Sequence, residues 1–189
     1  MIDRRRFMGA AAATGLSGFV PPALNAQGGA ADRALEALLQ RHSEAYLRRS
    51  PEEATANNFD TGANAMLRSR LDDRSLAARA SDRAAIRTAL AELGSIDVGA
   101  LSSRGALDRD VAHYVYQTLD DLLGRYGYVD GNLRPSPYVV SQMNGAYYWL
   151  PDFIGSRHPI ETRADVEAWL QRLAALAVAL DQELSLIHI

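Results

Sequence analysis

The 189-residue chain contains no cysteine and no lysine. Without cysteine there is no thiolate nucleophile, no disulfide, no Cys-type zinc site and no iron–sulfur cluster, so no disulfide framework argues for secretion. Without lysine there is no Schiff-base chemistry, no P-loop phosphate contact and no lysine general base; all 20 basic side chains are arginine. The strings H-E-x-x-H, G-x-S-x-G and G-x-G-x-x-G are missing, as are an EF-hand loop and any N-x-S/T acceptor. Nucleophile-elbow hydrolysis, dinucleotide binding on a Rossmann turn and loop calcium sites therefore have no support. The longest apolar run falls short of the roughly 20 residues that a membrane-spanning helix requires. A net charge of −3 leaves no basic footprint for nucleic acid. What is present is the composition of one globular domain, with 48% apolar and 23% charged residues.

The N-terminus reads as an address. Asp3-Arg4-Arg5-Arg6-Phe7-Met8 is followed by an Ala- and Gly-rich stretch to Val20, then Pro21-Pro22 and the small residue Ala26. Arg4, Arg5 and Phe7 in that order resemble a twin-arginine translocation signal, with cleavage after residue 26. The expectation is an exported, periplasmic or secreted chain that engages the twin-arginine machinery and has no stable membrane span. Removing this leader shifts the formal charge from −3 to −5, because it carries Asp3 and Arg4 to Arg6.

The remainder reads as all-α. Leu35, Leu38, Leu39, His42 and Tyr46 share one helical face, with Glu44 and Arg48 as an outward pair. Ser50-Pro51-Glu52-Glu53 has the form of an N-cap, a first-turn proline and a capping-box acid, which opens a second helix. Residues 57–73 suggest a loop with one weak helical turn, and 75–93 a third helix ending near Gly94. The clearest helix covers 103–126, where Leu107, Val111, Tyr114, Val115, Leu119, Leu122 and Leu123 follow the 3.6-residue period. Prolines 135, 137, 151 and 159 and glycines 127, 131, 145 and 155 predict an irregular but ordered segment over 127–159. A last long helix over 162–183 opens with Thr-x-x-Asp and carries Val166, Trp169, Leu170, Leu173, Leu176, Ala177 and Leu180 as its stripe.

Few residues invite chemistry. His42 and His113 sit on or beside apolar faces, where a hydrogen-bonded structural imidazole is expected, and His158 is an isolated loop histidine. The pairs Asp72-Asp73, Asp108/Asp110 and Asp120-Asp121 read as solvated helix decoration, with Arg125 available to Asp121 four residues on. No catalytic or metal-ligating residue is assigned. The segment 126–153 holds seven of the chain's fourteen aromatic residues. Two readings are open for it: rings beside Gln142 and Asn144 line a cleft for a peptide or small ligand, or the segment is a plug that buries its rings as core.

The string Tyr138-Val139-Val140-Ser141-Gln142-Met143-Asn144-Gly145-Ala146-Tyr147-Tyr148-Trp149-Leu150-Pro151-Asp152-Phe153 resembles a bacterial family known as domain of unknown function 885. Leu71-Asp72-Asp73-Arg74-Ser75, Ser95-Ile96-Asp97, Leu101-Ser102 and His158-Pro159-Ile160 follow that family's order, so the resemblance spans residues 33–183. It implies an exported, mainly helical protein akin to zinc metallopeptidases, in which two histidines one turn apart hold zinc and the glutamate between them activates water. That motif would lie downstream of the matched region, so no cofactor is expected on these residues and zinc only in the whole protein. Leu184-Ser185-Leu186-Ile187-His188-Ile189 departs from the Ala/Arg/Leu helix before it and looks like translated adapter sequence.

Three segments are expected on these grounds: 1–26 an export signal, 27–183 the N-terminal helical part of the family domain, and 184–189 a non-native tail. The functional expectation is an inactive N-terminal piece of a zinc-dependent, peptidase-like hydrolase whose partner is the missing C-terminal part of its own chain. Gln142, Asn144, Tyr147 and Tyr148 are the candidate cleft residues. The alternative is a complete, non-enzymatic periplasmic binding or adaptor module.

Overall fold

The computed structural model of the protein describes residues 29–127 and 138–187. The export-signal residues Arg4, Arg5 and Phe7, the segment with Tyr128, Pro135 and Pro137, and His188 lie outside them. Among the described residues the architecture is all-α. In chain order it comprises α1 (Ala30–Arg49), α2 (Pro51–Ala56), a 3-10 helix (Gly62–Ser69), α3 (Leu76–Gly94), a 3-10 turn (Val98–Ala100), α4 (Ser103–Arg125), α5 (Ala146–Asp152), a π-helical turn (Phe153–Arg157) and α6 (Arg163–Ile187).

Local chemistry sets the helix ends. Ser75 accepts from Ala78 N–H and Ser102 from Gly105 N–H, so each satisfies an orphan donor of the first turn of α3 or α4. Thr162 and Asp165 form the reciprocal box read from the sequence: Thr162 N–H donates to Asp165 Oδ2 at 2.8 Å, and Asp165 N–H to Thr162 Oγ1 at 3.2 Å. Asp32 joins two helices, accepting Gly29 N–H at 3.2 Å at the start of α1 and Ser102 N–H at 3.0 Å just before α4.

Two apolar clusters form the core. Leu35, Leu38 and Leu93 pack with Leu39, Ile96, Leu101, Ala112 and Tyr116, which binds α1 and α4 to the end of α3. Ala146, Leu150, Phe153, Ile154 and Ala179 pack with Leu71, Trp149, Trp169 and Leu176, which seats α5 on α6. Fully burying one of the leucine, isoleucine or phenylalanine side chains stabilises the fold by about 1.5–3 kcal/mol.

Several expectations change. Ser50 makes no side-chain cap for α2; Asp72, twenty residues away, supplies the acceptor for Glu52 N–H at 3.0 Å. Segment 127–159 is not wholly irregular, since α5 and its π-turn form within it despite Pro151. Asp121 accepts from Gln117 rather than from Arg125. On α4 the outer residues Leu107, Val111 and Tyr114 are exposed, while Leu123, Tyr116 and Ala112 face α1 and α3. α6 departs most from its sequence pattern. It buries Asp165, Ala168, Arg172, Ala179, Glu183 and Leu186, and turns Val166, Leu170, Leu173 and Leu180 outward.

Candidate functional site: an aromatic turn above buried ion pairs

The four residues read as cleft-facing lie close together, Gln142 and Asn144 in a turn and Tyr147 and Tyr148 in the first turn of α5. Ser141 and Asn144 exchange backbone hydrogen bonds at 3.1 and 3.3 Å. Asn144 Nδ2 donates to the Tyr138 and Val139 carbonyls at 3.1 and 3.3 Å, and the Tyr147 hydroxyl donates to the Ser141 carbonyl. Both polar tips therefore hold the turn in shape. Gly145, at φ +109°, then redirects the chain into α5, a conformation that side-chain-bearing residues rarely adopt. Gln142 and Tyr148 make no such internal bond and face outward, with Tyr148 49% exposed beside Tyr147 at 46%.

The aromatic segment divides between core and surface. Trp149 and Phe153 stack with centroids 6.1 Å apart and belong to the core, while Tyr138, Tyr147 and Tyr148 stand on the surface. The helical period separates the two sets: Ala146, Leu150 and Phe153 line the inner side of α5, and the two tyrosines line the outer side.

Beneath the turn lies a cluster that periodicity did not reveal. Glu52 is buried and accepts four donors: Arg74 Nη1 and Asp72 N–H on Oε1, at 2.9 and 3.0 Å, and Arg74 Nη2 and Trp149 Nε1 on Oε2, at 3.0 and 2.9 Å. Glu183 accepts Ala146 N–H, the first donor of α5, at 2.7 Å and pairs with Arg74 Nε at 3.4 Å. Burial, and then the charge of Glu52, push the Asp72 carboxyl up to about 7. Asp72 is thus no solvated decoration.

A second polar ring closes behind it. Arg172, fully buried, donates to His158 Nδ1 at 2.8 Å, to Thr55 Oγ1 at 2.6 Å and to the Arg70 carbonyl at 2.9 Å, with its guanidinium 4.8 Å above the Phe153 ring. Thr55 donates to Asp60 at 2.8 Å, and Asp60 takes a two-pronged contact from Arg68 at 3.2 and 3.3 Å. Arg68 reaches Asp165 at 2.6 Å, and the Asp165 carbonyl accepts from His158 Nε2 at 2.9 Å, which closes the ring. Two arginines and two aspartates balance in charge, and the imidazole between them is neutral. Burial lowers the His158 pKa and pulls the Arg172 guanidinium down to about 10, while hydrogen bonds from Arg68 and Thr162 hold the Asp165 carboxyl far below its usual range.

Such an arrangement positions rather than reacts. Every member of the ring is bonded within it, and a buried network of this kind fixes one packing because any broken member leaves a costly unpaired group. His158, read as an isolated loop residue, is one of its corners. The sequence signal that could have exposed the ring is Arg172, a charge set among the aliphatic residues of α6.

One open cleft of about 430 Å³ lies elsewhere, lined by Ala34, Leu38, Arg41, Glu92, Ile96 and Asp97. His42 beside it donates to Glu92 at 2.6 Å and accepts from the Tyr116 hydroxyl at 3.4 Å, so neither imidazole nitrogen remains for a ligand. This matches the structural role expected for His42. Among the described residues no three His, Asp or Glu side chains group to hold a metal ion, and no helix is long and apolar enough to cross a membrane. Glu52 and Glu183 pair with Arg74, and the Asp72 carboxyl accepts from Glu52 N–H.

The family model described as "Bacterial protein of unknown function (DUF885)" matches residues 51–188. The chain belongs to this DUF885 family. No curated protein and no solved structure matches it. The DUF885 match begins at Pro51, next to Glu52, and continues beyond Glu183, so the aromatic turn and both polar networks fall wholly within it. The α1 wall of the open cleft lies before it.

Proposed function

We propose that these residues are the scaffold-forming N-terminal part of an exported, zinc-dependent, peptidase-like hydrolase, in which the turn around Gln142 and Tyr148 is one wall of the substrate cleft. The observation that carries this reading is the contrast within the turn. Asn144 and Tyr147 are engaged in holding its backbone, whereas the Gln142 amide and the Tyr148 hydroxyl are exposed and have no hydrogen-bond partner among the described residues. An amide beside exposed ring faces, on a base fixed by Glu52 and Glu183, is suited to pair with the backbone of an extended peptide and to cover its side chains.

In this reading residues 1–26 are the leader and α1 to α6 belong to the enzyme; the family match through residue 188 and the burial of Leu186 at the end of α6 count against a foreign tail from Leu184. Catalysis, and the zinc that would supply a Lewis acid and an activated water, belong to residues downstream of Glu183. The test is to read the source gene past codon 183 and to measure the zinc content of the complete product. A frame that continues in helical sequence to H-E-x-x-H, with one zinc per chain, supports the proposal. A frame that stops after Ile189 overturns it in favour of a self-contained binding module.

A further inference from the structure

α1 and the chain that returns along it enclose an open groove of about 430 Å³, within the range of roughly 300–1,000 Å³ that small-ligand sites occupy. Ala31, Ala34, Leu38 and Arg41 recur at steps of three and four, so one face of α1 forms the first wall. The second wall is the end of α3 and the turn after it, where Ile96 and Ala100 add apolar surface and Glu92 and Asp97 add carboxylates. Each acid is held through one oxygen. Glu92 Oε2 accepts from His42 Nε2 at 2.6 Å, and the His42 side chain, 11% exposed, is held in turn by the Tyr116 hydroxyl. Asp97 Oδ1 accepts Gly99 N–H at 3.0 Å. The second oxygen of each acid makes no hydrogen bond among the described residues. Arg41 is exposed and has neither a hydrogen bond nor an ion pair among them, although it lines the same groove as both acids. Two ties set the order along the groove: Glu92 to His42, and Ser102 to Asp32 at 3.0 Å. Between them the chain runs antiparallel to α1, so Asp97 is displaced from Arg41 toward the start of that helix.

We propose that this groove binds short zwitterionic peptides of two or three residues, the terminal carboxylate on Arg41 and the terminal ammonium on Asp97. An unpartnered guanidinium presents the two-pronged donor geometry that a carboxylate fits, and Asp97 Oδ2 is an acceptor for the ammonium. Glu92 Oε1, near the Arg41 end, is placed to accept a peptide N–H, while Leu38 and Ile96 cover an apolar side chain. Ala31 and Ala34 are small enough to let a backbone lie against the helix. The lengths agree: two or three extended residues cover about 7–10 Å, and α1 rises about 10 Å from Ala34 to Arg41. Charge decides the class. A neutral apolar ligand would leave three rim charges unpaired, and a dianion or dication would meet like charge at one end. α1 lies ahead of the DUF885 match, and the inference is independent of the hydrolase reading.

The test is isothermal titration calorimetry of the intact chain with the tripeptide Ala-Leu-Ala, its N-acetylated form and its C-terminal amide, with circular dichroism to establish that each variant keeps its helix content. The free tripeptide should bind, and blocking either end should weaken it about tenfold, the loss of one charge-assisted contact. Arg41→Gln should bind the free acid and the amide equally while still penalising acetylation. Asp97→Asn, which keeps an acceptor for Gly99 N–H, should show the reverse pattern. Ala34→Trp, which fills the floor, should abolish binding. No heat from the free tripeptide through the millimolar range, equal binding of all three forms, or end-block penalties that persist unchanged in the Arg41 and Asp97 variants overturns the proposal.

Discussion

Arg172 Nη1 lies 2.8 Å from His158 Nδ1 while His158 Nε2 lies 2.9 Å from the Asp165 carbonyl, and together these contacts fix the imidazole as the neutral, Nε2-protonated tautomer. Nδ1 must accept, because a guanidinium has only donors. A second proton on the ring would point at Arg172.

An acid-stability prediction follows. The folded imidazole has a lowered pKa, whereas in the unfolded chain it titrates near 6.5. The unfolded state therefore binds more protons in the window below 6.5, so the stability that His158 contributes is full above that pH and is lost as pH falls toward the folded value. Urea unfolding at pH 7.5 and 5.5 should show His158→Gln less destabilised, relative to wild type, at the lower pH. An identical difference at both values would remove His158 as the titrating group.

Arg172→Met should lower the unfolding free energy by about 3–5 kcal/mol, because it strands Thr55, His158 and the Arg70 carbonyl and leaves the remaining ring charges unbalanced. Arg172→Lys should recover only part of this, since one ammonium cannot span the partners of a planar fork. Guanidinium titrations of the two variants measure both effects.

Asp72 titrates in the opposite direction from His158. Its folded carboxyl is raised to about 7 from 3.8, so the folded state binds the extra proton between those values and Asp72 costs stability as pH rises through them. Asp72→Asn keeps an acceptor for Glu52 N–H without the charge. Its stability relative to wild type should therefore climb between pH 4 and 7 and level off above, as thermal unfolding at a series of pH values would record.

Gly145→Ala should destabilise by about 1–3 kcal/mol, because φ +109° strains any side-chain-bearing residue. The new methyl would also sit 3.2 Å from Glu183 Oε2 and 3.3 Å from Val140 Cγ2. Differential scanning calorimetry should show a lower melting temperature with α-helical content retained.

Much of this fold was legible before the structure. The long helices and the Thr162–Asp165 box rest on local rules of period and capping, and each forms near its expected place, whereas the Ser75 and Ser102 caps went unread and the Ser50 cap that was expected does not form. What periodicity could not tell is which side of α6 faces inward. The apolar stripe of α6 is real, yet Arg172 and Glu183 hold the opposite face down through partners distant in sequence, Thr55 and Arg70 for Arg172 and Arg74 and Ala146 for Glu183. The same blindness applied to Glu52 and Asp72, whose roles depend on Arg74 and Trp149 arriving from other elements. Of the four candidate cleft residues, the sequence located the turn but did not separate Asn144 and Tyr147, which hold it, from Gln142 and Tyr148, which it presents.

That separation permits the most direct test of the proposed cleft wall: steady-state hydrolysis of a fluorescence-quenched peptide mixture by the full product of the source gene, compared with its Gln142→Ala, Tyr148→Ala variant. Neither residue supports the turn, so the melting temperature should stay unchanged while kcat/KM falls roughly tenfold or more, as loss of one stacking and one hydrogen-bonding contact would require. Unchanged kcat/KM in a variant of unchanged stability would contradict the account.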